Sequence, residues 1–273
     1  CHLLFAIYEM CHFSLCIFHC ALIRNMPLYR SPALVLKCSP WSEADKLVFL
    51  FTRNFGKVKG IASGACRTKS KFGGALEALT LVHVIYFLKE GRELAKIDSC
   101  DVICPFLGLK EDFERLKRAL YVLELGDVVL PLGEPNVRLF GVISRVLHLL
   151  EKVDDLDGTL RGFELQVLTM IGLAPQVDCC VGCEGPVGEG GFRFSPRLGG
   201  LVCTRCSLQA REEAFRVSSK AVSFMRRGLA DRLTLSNKGE PSGYPLGEVQ
   251  QILQRHIQTH LGRELRSARM INL

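Results

Sequence analysis

Apolar and polar residues follow two different rhythms along the chain, and the rhythm changes near Pro105. From Leu28 the apolar positions come in short runs rich in Val, Phe and Ile. "ALVLKCSP" is followed by "DKLVFLFTRNFGKVKGIASGA", where Asn54-Phe55-Gly56-Lys57 supplies a turn between two such runs. Runs of this composition bounded by turn formers predict strands. "ALTLVHVIYFLKEGRELAKIDSCDVI" repeats the arrangement around Lys89-Glu90-Gly91-Arg92, a hairpin-like break. Five short strands in about eighty residues, with a basic linker between the third and fourth, predict a small barrel of the OB kind.

Beyond Pro105 the period lengthens. "EDFERLKRALYVLELGDVVL" sets Phe113, Leu116, Ala119, Leu120 and Leu123 at three- and four-residue intervals, the spacing of one apolar helix face. "NVRLFGVISRVLHLLEKV" and "TLRGFELQVLTMIGL" repeat it, and short connections make the three a helical bundle. Leu173-Ala174-Pro175 closes the third, because proline disfavours helical geometry in the residue before it. After a glycine-rich insert, "EEAFRVSSKAVSFMRRGLADRL" and "LGEVQQILQRHIQTHLGREL" predict helices again, divided by "SNKGEPSGYP".

The first twenty-five residues stand apart, being apolar and rich in cysteine. They lack the basic start and small-residue cleavage site of a signal peptide, and Glu9, His12 and His19 interrupt a membrane span. Because an orderly pattern begins at Met26, residues 1–25 are expected to be an upstream extension of the reading frame rather than a membrane anchor.

Of the 273 residues, 48% are apolar, enough for real cores. The net charge of +7 suits an anionic partner but also occurs in ordinary proteins. Its location is more telling. Arg30 to Phe72 holds nine Lys and Arg against Glu43 and Asp45, so this segment alone carries a charge equal to that of the whole chain. Within it, Arg30, Lys46, Arg53, Lys57, Lys59, Arg67, Lys69 and Lys71 are expected to track a phosphate backbone, with Phe49, Phe51, Phe55 and Phe72 available for base stacking. The blander alternative is a solvated basic face over core phenylalanines. For any single Phe the core is the better reading; for the clustered charge, nucleic acid is.

The thirteen cysteines do not read as a disulfide framework. Four lie in the first twenty residues, four lie at metal-ligand spacing, and a reducing cytoplasm fits the rest. The spacing C-x2-C-x19-C-x2-C formed by Cys180, Cys183, Cys203 and Cys206 lets two knuckles grip one ion tetrahedrally. Glycines permit tight turns around "FRFS" and "GLVC", which predict two short ribbon strands. Against free thiols, an iron–sulfur cluster or a redox disulfide, the expectation is structural Zn²⁺. Cys179 completes no such pair and reads as a spare thiol. Four thiolates leave no position for a reactive water, so the metal is expected to brace the fold.

His256 and His260 stand four apart on a predicted helix but have no Cys or carboxylate partner at useful spacing, so they read as core or solvated histidines. "GKVKG" lacks the spacing of a phosphate loop, and no nucleophile elbow, HExxH or GxGxxG occurs. An enzyme is not expected. The fold class expected is α+β and multi-domain: an OB-fold β-barrel over 26–105, then an α-helical domain over 106–273 with a zinc-ribbon-like insert at 176–210.

From Met26 to the C-terminus, the ordered run of these parts resembles the RecO family of bacterial recombination mediators. The likeness is carried by "YRSPALVLKCSPWSEADKLVFLFTRNFGKVKGIASGACRTKSKFGGALEAL", "APQVDCCVGC", "GGLVCTRC" and "HLGRELRSARMINL". Residues 1–25 lie outside it. The resemblance implies an OB domain followed by a helical domain with an inserted zinc segment. It implies binding of single- and double-stranded DNA, annealing of complementary strands, and work with RecR to help RecA replace single-strand-binding protein, all in the cytoplasm at the nucleoid. It maps the family's zinc ligands onto Cys180, Cys183, Cys203 and Cys206, although some members lack these cysteines. It also puts the contact for the tail of single-strand-binding protein in the helical domain. The competing readings are an RNA-binding or transcription-associated OB and zinc-ribbon protein, a metalloenzyme, and a protein-interaction scaffold.

Overall fold

In the computed structural model, residues 27–187, 192–209, 214–230 and 243–271 are described, so the leader at 1–25 lies outside them. The alternating apolar runs form β1 (Leu28–Pro40), β2 (Lys46–Thr52), β3 (Gly56–Ala62), β4 (Leu81–Phe87) and β5 (Leu94–Cys104). They close into a barrel in the order β1-β2-β3-β5-β4, parallel between β3 and β5 and antiparallel elsewhere. Successive strand side chains point to opposite faces, and here Val48 and Leu50 of β2, Val58 of β3 and Val82, Val84 and Tyr86 of β4 point inward. β1 pairs with both β2 and β4, and a register shift between Val35 and Lys37 accompanies the switch. The linker at 63–80 also feeds the core, through Phe72, Ala75 and Leu76.

One compact unit ends at Pro105 and takes in Leu132–Pro135. The Gly133 N–H donates to the Lys57 carbonyl at 3.0 Å. Gly56, at φ +69°, permits this approach, since a Cβ there would lie 2.1 Å from the Glu134 carbonyl oxygen.

The second unit is helical: α1 (Leu107–Glu111), α2 (Phe113–Val129), α3 (Val137–Leu150), α4 (Leu156–Met170), α5 (Thr204–Gln209), α6 (Ser219–Ala230), α7 (Leu246–Leu261) and α8 (Arg266–Ile271). Short polar side chains set the starts of α2, α3 and α4. Asp112 accepts from Glu114 and Arg115 N–H, Asn136 from Leu139 N–H and Asp155 from Gly158 N–H, satisfying amides that a helix start leaves unpaired. None of the helices of the described residues is long and apolar enough to cross a membrane.

The expected face of α2 needs correction. Phe113 is 64% exposed, while Ala119, Tyr121, Val122, Leu123 and Leu125 are buried, because α3, α4 and α8 all pack on this helix. At its centre the Tyr121 hydroxyl donates to Glu164, whose carboxylate stands 3.0 Å from Arg161, and all three side chains are buried. Burial pushes the Glu164 and Tyr121 pKa values up, against the pull of the Arg161 charge.

Between α4 and α6 lies a three-stranded sheet of order β7-β6-β8, from β6 (Phe192–Ser195), β7 (Gly200–Val202) and β8 (Phe215–Val217). β6 and β7 were expected. β8 replaces the start of an expected helix: pairing with β6 sets Phe192 opposite Val217 and Phe194 opposite Phe215, and buries Phe194 and Val217. The helix begins only at Ser219.

Candidate nucleic-acid interface and metal centre

The basic surface is organised by the turn between β1 and β2. Trp41 N–H donates to the Asp45 carbonyl at 2.9 Å, and Ser42 Oγ accepts from Asp45 N–H at 3.1 Å. The same turn is tied to the linker. Asp45 Oδ1 accepts from Gly64 N–H and the Ala44 carbonyl from Cys66 N–H, each at 2.9 Å. Lys46 therefore opens β2 beside a linker whose next residues include the exposed Arg67 and Lys69.

On the outer face of the barrel, strand register aligns Lys37 of β1 with Phe49 of β2, and Phe49 with Lys59 of β3. Both ammonium groups lie over the Phe49 ring, at 5.4 and 5.7 Å from its centroid, a cation–π arrangement. Ile61 pairs with the exposed Lys96 of β5. Lys71 stands 3.6 Å from Asp98, a half-exposed pair that offsets part of its charge.

The eight expected cations therefore do not form one patch. Lys46, Arg67 and Lys69 belong to the turn and linker, with Lys59 further along the outer face. Arg53 lies at the far end of β2, where its N–H donates to the Pro32 carbonyl at 2.9 Å, and Arg30 lies beyond on β1. Seven strand residues at about 3.3 Å each separate Lys46 from Arg53 by about 23 Å. Lys57 sits between, its carbonyl holding Gly133.

Three of the four phenylalanines belong to the interior. Phe51 and Phe72 are buried, and the Phe55 ring lies 5.0 Å from Tyr29 and 6.3 Å from Tyr86. Phe51 shares the outer side of β2 with Phe49 but is covered, so Phe49 is the one of the four left partly open on that face. Sequence reasoning left Lys37 and Lys96 out of the site, and strand parity could have supplied both. It also passed over Trp41, which is 54% exposed.

The second feature is the thiol cluster. Sγ atoms of Cys180, Cys183, Cys203 and Cys206 lie within 4.8 Å of one another, with Cys183 and Cys203 3.9 Å apart. Four ligands at about 2.3 Å from a tetrahedral ion stand about 3.8 Å apart, so the donor set could hold a metal. Backbone geometry adds to the fit: Cys203 N–H donates to Cys180 Sγ at 3.3 Å and Cys206 N–H to Cys203 Sγ at 3.4 Å. Burial pushes the Cys180 thiol up, but N–H donors from Cys203, Gly182 and Cys183 outweigh it and bring it to about 6. Hydrogen bonding to Cys203 and Cys183 pushes Cys206 up to about 12. Four thiolates this close repel one another, and a divalent cation is what lets all four ionise. Cys179 is not part of the cluster.

Gly200 fixes the second knuckle. A Cβ there would stand 2.4 Å from the Gln176 carbonyl, which accepts from Leu201 N–H at 2.8 Å. His256 and His260 hold neighbouring backbone rather than metal. Their Nε2 atoms lie 2.8 Å from the Leu173 carbonyl and 2.9 Å from the Pro196 carbonyl. Burial pushes His256 down to about 4.

The helical unit also carries an open groove of about 830 Å³, lined by Val137, Arg138, Val142 and Arg145 of α3 and by Thr169 and Met170 of α4. Val137 and Met170 are exposed in it.

Residues 26–106 match the family model described as Recombination protein O N terminal, and residues 110–269 match Recombination protein O C terminal. Proteins named DNA repair protein RecO are similar along nearly their whole length. The relative from Symbiobacterium thermophilum is 33% identical over 250 residues, covering 90% of this chain and 98% of its own. Those from an Anaeromyxobacter species and Koribacter versatilis are 34% identical over 240 residues (88% and 93%) and 32% over 254 (90% and 98%). With both of its domains matched and relatives this similar across most of its length, the chain belongs to the RecO family of DNA repair and recombination proteins.

Proposed function

We propose that the protein is a recombination mediator that binds single- and double-stranded DNA on its barrel, anneals complementary strands, and acts with RecR to help RecA replace single-strand-binding protein. It performs no bond chemistry of its own. The observation that carries this reading is the cationic outer face of the closed barrel, where Lys37 and Lys59 flank Phe49, together with Arg67 and Lys69 on the linker tied to the braced turn. Cations held on a rigid scaffold neutralise phosphates of two strands and lower the repulsion that opposes pairing. They need no reacting group.

Zn²⁺ is the ion that best suits Cys180, Cys183, Cys203 and Cys206, since four thiolates close its coordination shell and leave only a bracing role. For the tail of single-strand-binding protein, the groove between α3 and α4 is the favoured seat. Arg138 and Arg145 offer charge to anionic groups of a bound segment, and Val137, Val142 and Met170 offer apolar surface beside them. Cytoplasmic work at the nucleoid follows from this role.

The test is strand annealing on DNA coated with single-strand-binding protein, with and without RecR. The reading expects the protein to accelerate annealing, and RecR to be needed for RecA loading. No acceleration on coated DNA would refute it. A strong preference for RNA over matched single-stranded DNA would instead favour the RNA-binding alternative.

A further inference from the structure

The β1–β2 turn carries an aromatic side chain that the barrel core does not use. Trp41 is the single tryptophan of the sequence, and it is 54% exposed, although an indole is among the side chains that gain most from burial. The turn that carries it is fixed. The Trp41 and Ser42 N–H groups both donate to the Asp45 carbonyl, at 2.9 and 3.3 Å, and the hydrogen bonds from Gly64 and Cys66 lock the turn to the linker.

Cations flank the turn, which itself carries the exposed Glu43. Lys46 pairs with Pro40 directly before Trp41, and Arg67 and Lys69 follow the linker residue Cys66 that bonds to the turn. The outward aromatic Phe49 already has two ammonium groups over its ring. Among the described residues, no ring or cation packs on the Trp41 indole. Trp41 is the aromatic that still has a face to offer, and the connection between strands one and two is one that OB barrels use to grip strands.

We infer that Trp41 is a stacking platform for an unpaired base of a strand held on this surface, a role that rests on the DNA-binding reading above. Every base has a π-face, so the contact tolerates any sequence. Duplex DNA buries those faces in its own stack. Trp41 therefore grips a strand before annealing and loses that contact once the strand's bases are paired, which biases the surface toward releasing duplex product.

Because no other tryptophan is present, intrinsic emission reads this contact directly. Oligo(dT) is titrated into the full chain while Trp emission and the anisotropy of end-labelled oligo(dT) are recorded together. The inference expects saturable quenching with the same midpoint as the anisotropy change, and weaker quenching with a matched blunt duplex. Trp41→Ala should weaken oligo(dT) binding by about 5- to 150-fold with an unchanged salt slope, because stacking releases no counterions. Trp41→Phe should recover much of the loss, and circular dichroism checks that both variants fold. Anisotropy binding without quenching, or unchanged affinity in folded Trp41→Ala, overturns the stacking role alone. Absence of any anisotropy change overturns the DNA-binding reading and this inference with it.

Discussion

Replacing Lys37, Lys59, Arg67 and Lys69 together by Ala removes four of the cations on the outer face and the braced linker, while sparing Lys71, which Asp98 partly neutralises. If each meets one phosphate of a single strand, the slope of log affinity against log salt falls by about 0.7 per contact, or about 2.8 in all. Between 50 and 200 mM salt, a slope change of about 2.8 corresponds to about a 50-fold difference in how far affinity drops. The assay is oligo(dT) anisotropy at several salt concentrations, with Lys152 and Lys220, exposed on the helical unit, replaced in a control that keeps its slope. A quadruple variant with the wild-type slope would show that phosphates are met elsewhere.

Removing Cys180 and Cys203 as Ser variants, or stripping metal with a chelator, should lower the thermal stability of the unit around β6 and β7 and leave the DNA affinity of folded protein unchanged; cobalt loading should give a four-thiolate spectrum in wild type only. Arg161→Met leaves the Glu164 carboxyl buried without its cation and should cost about 3–5 kcal/mol in urea unfolding, most of it recovered when Glu164 also becomes Leu. His256 is pushed from 6.5 to about 4 by burial, so the unfolded chain takes up its proton first as pH falls. Its neutral form therefore contributes stability that is intact above about pH 6.5 and declines toward pH 4, by up to about 3 kcal/mol, and His256→Gln should flatten that part of the stability profile.

The barrel was legible because its code is local. Inward Val48, Leu50 and Val58 alternate with outward Phe49, Lys57 and Lys59, and the turn at Asn54 and the break at Gly91 separate the runs. The thiol cluster was legible for a similar reason, since each knuckle spans only four residues. What stayed hidden depended on partners distant in sequence. α2 buries more than the one side its period suggested, because three helices pack on it. Phe215 and Val217 make a short apolar run that suits helix or strand equally, and the β6 edge decides for strand. Arg161 and Glu164 look like a surface pair three residues apart until Tyr121, from another helix, closes over them. Trp41 gives no periodic signal at all. Its place is set by a turn whose backbone bonds converge on Asp45.

Which surface meets the strand is best settled by ultraviolet crosslinking of the full chain to oligo(dT), followed by mass spectrometry of the linked peptides. The account predicts that the crosslinks fall on the β1–β2 turn, the outer face of β2 and β3, and the linker through Lys69. Crosslinks confined to the Cys180–Cys206 segment or to α3 and α4 would contradict it.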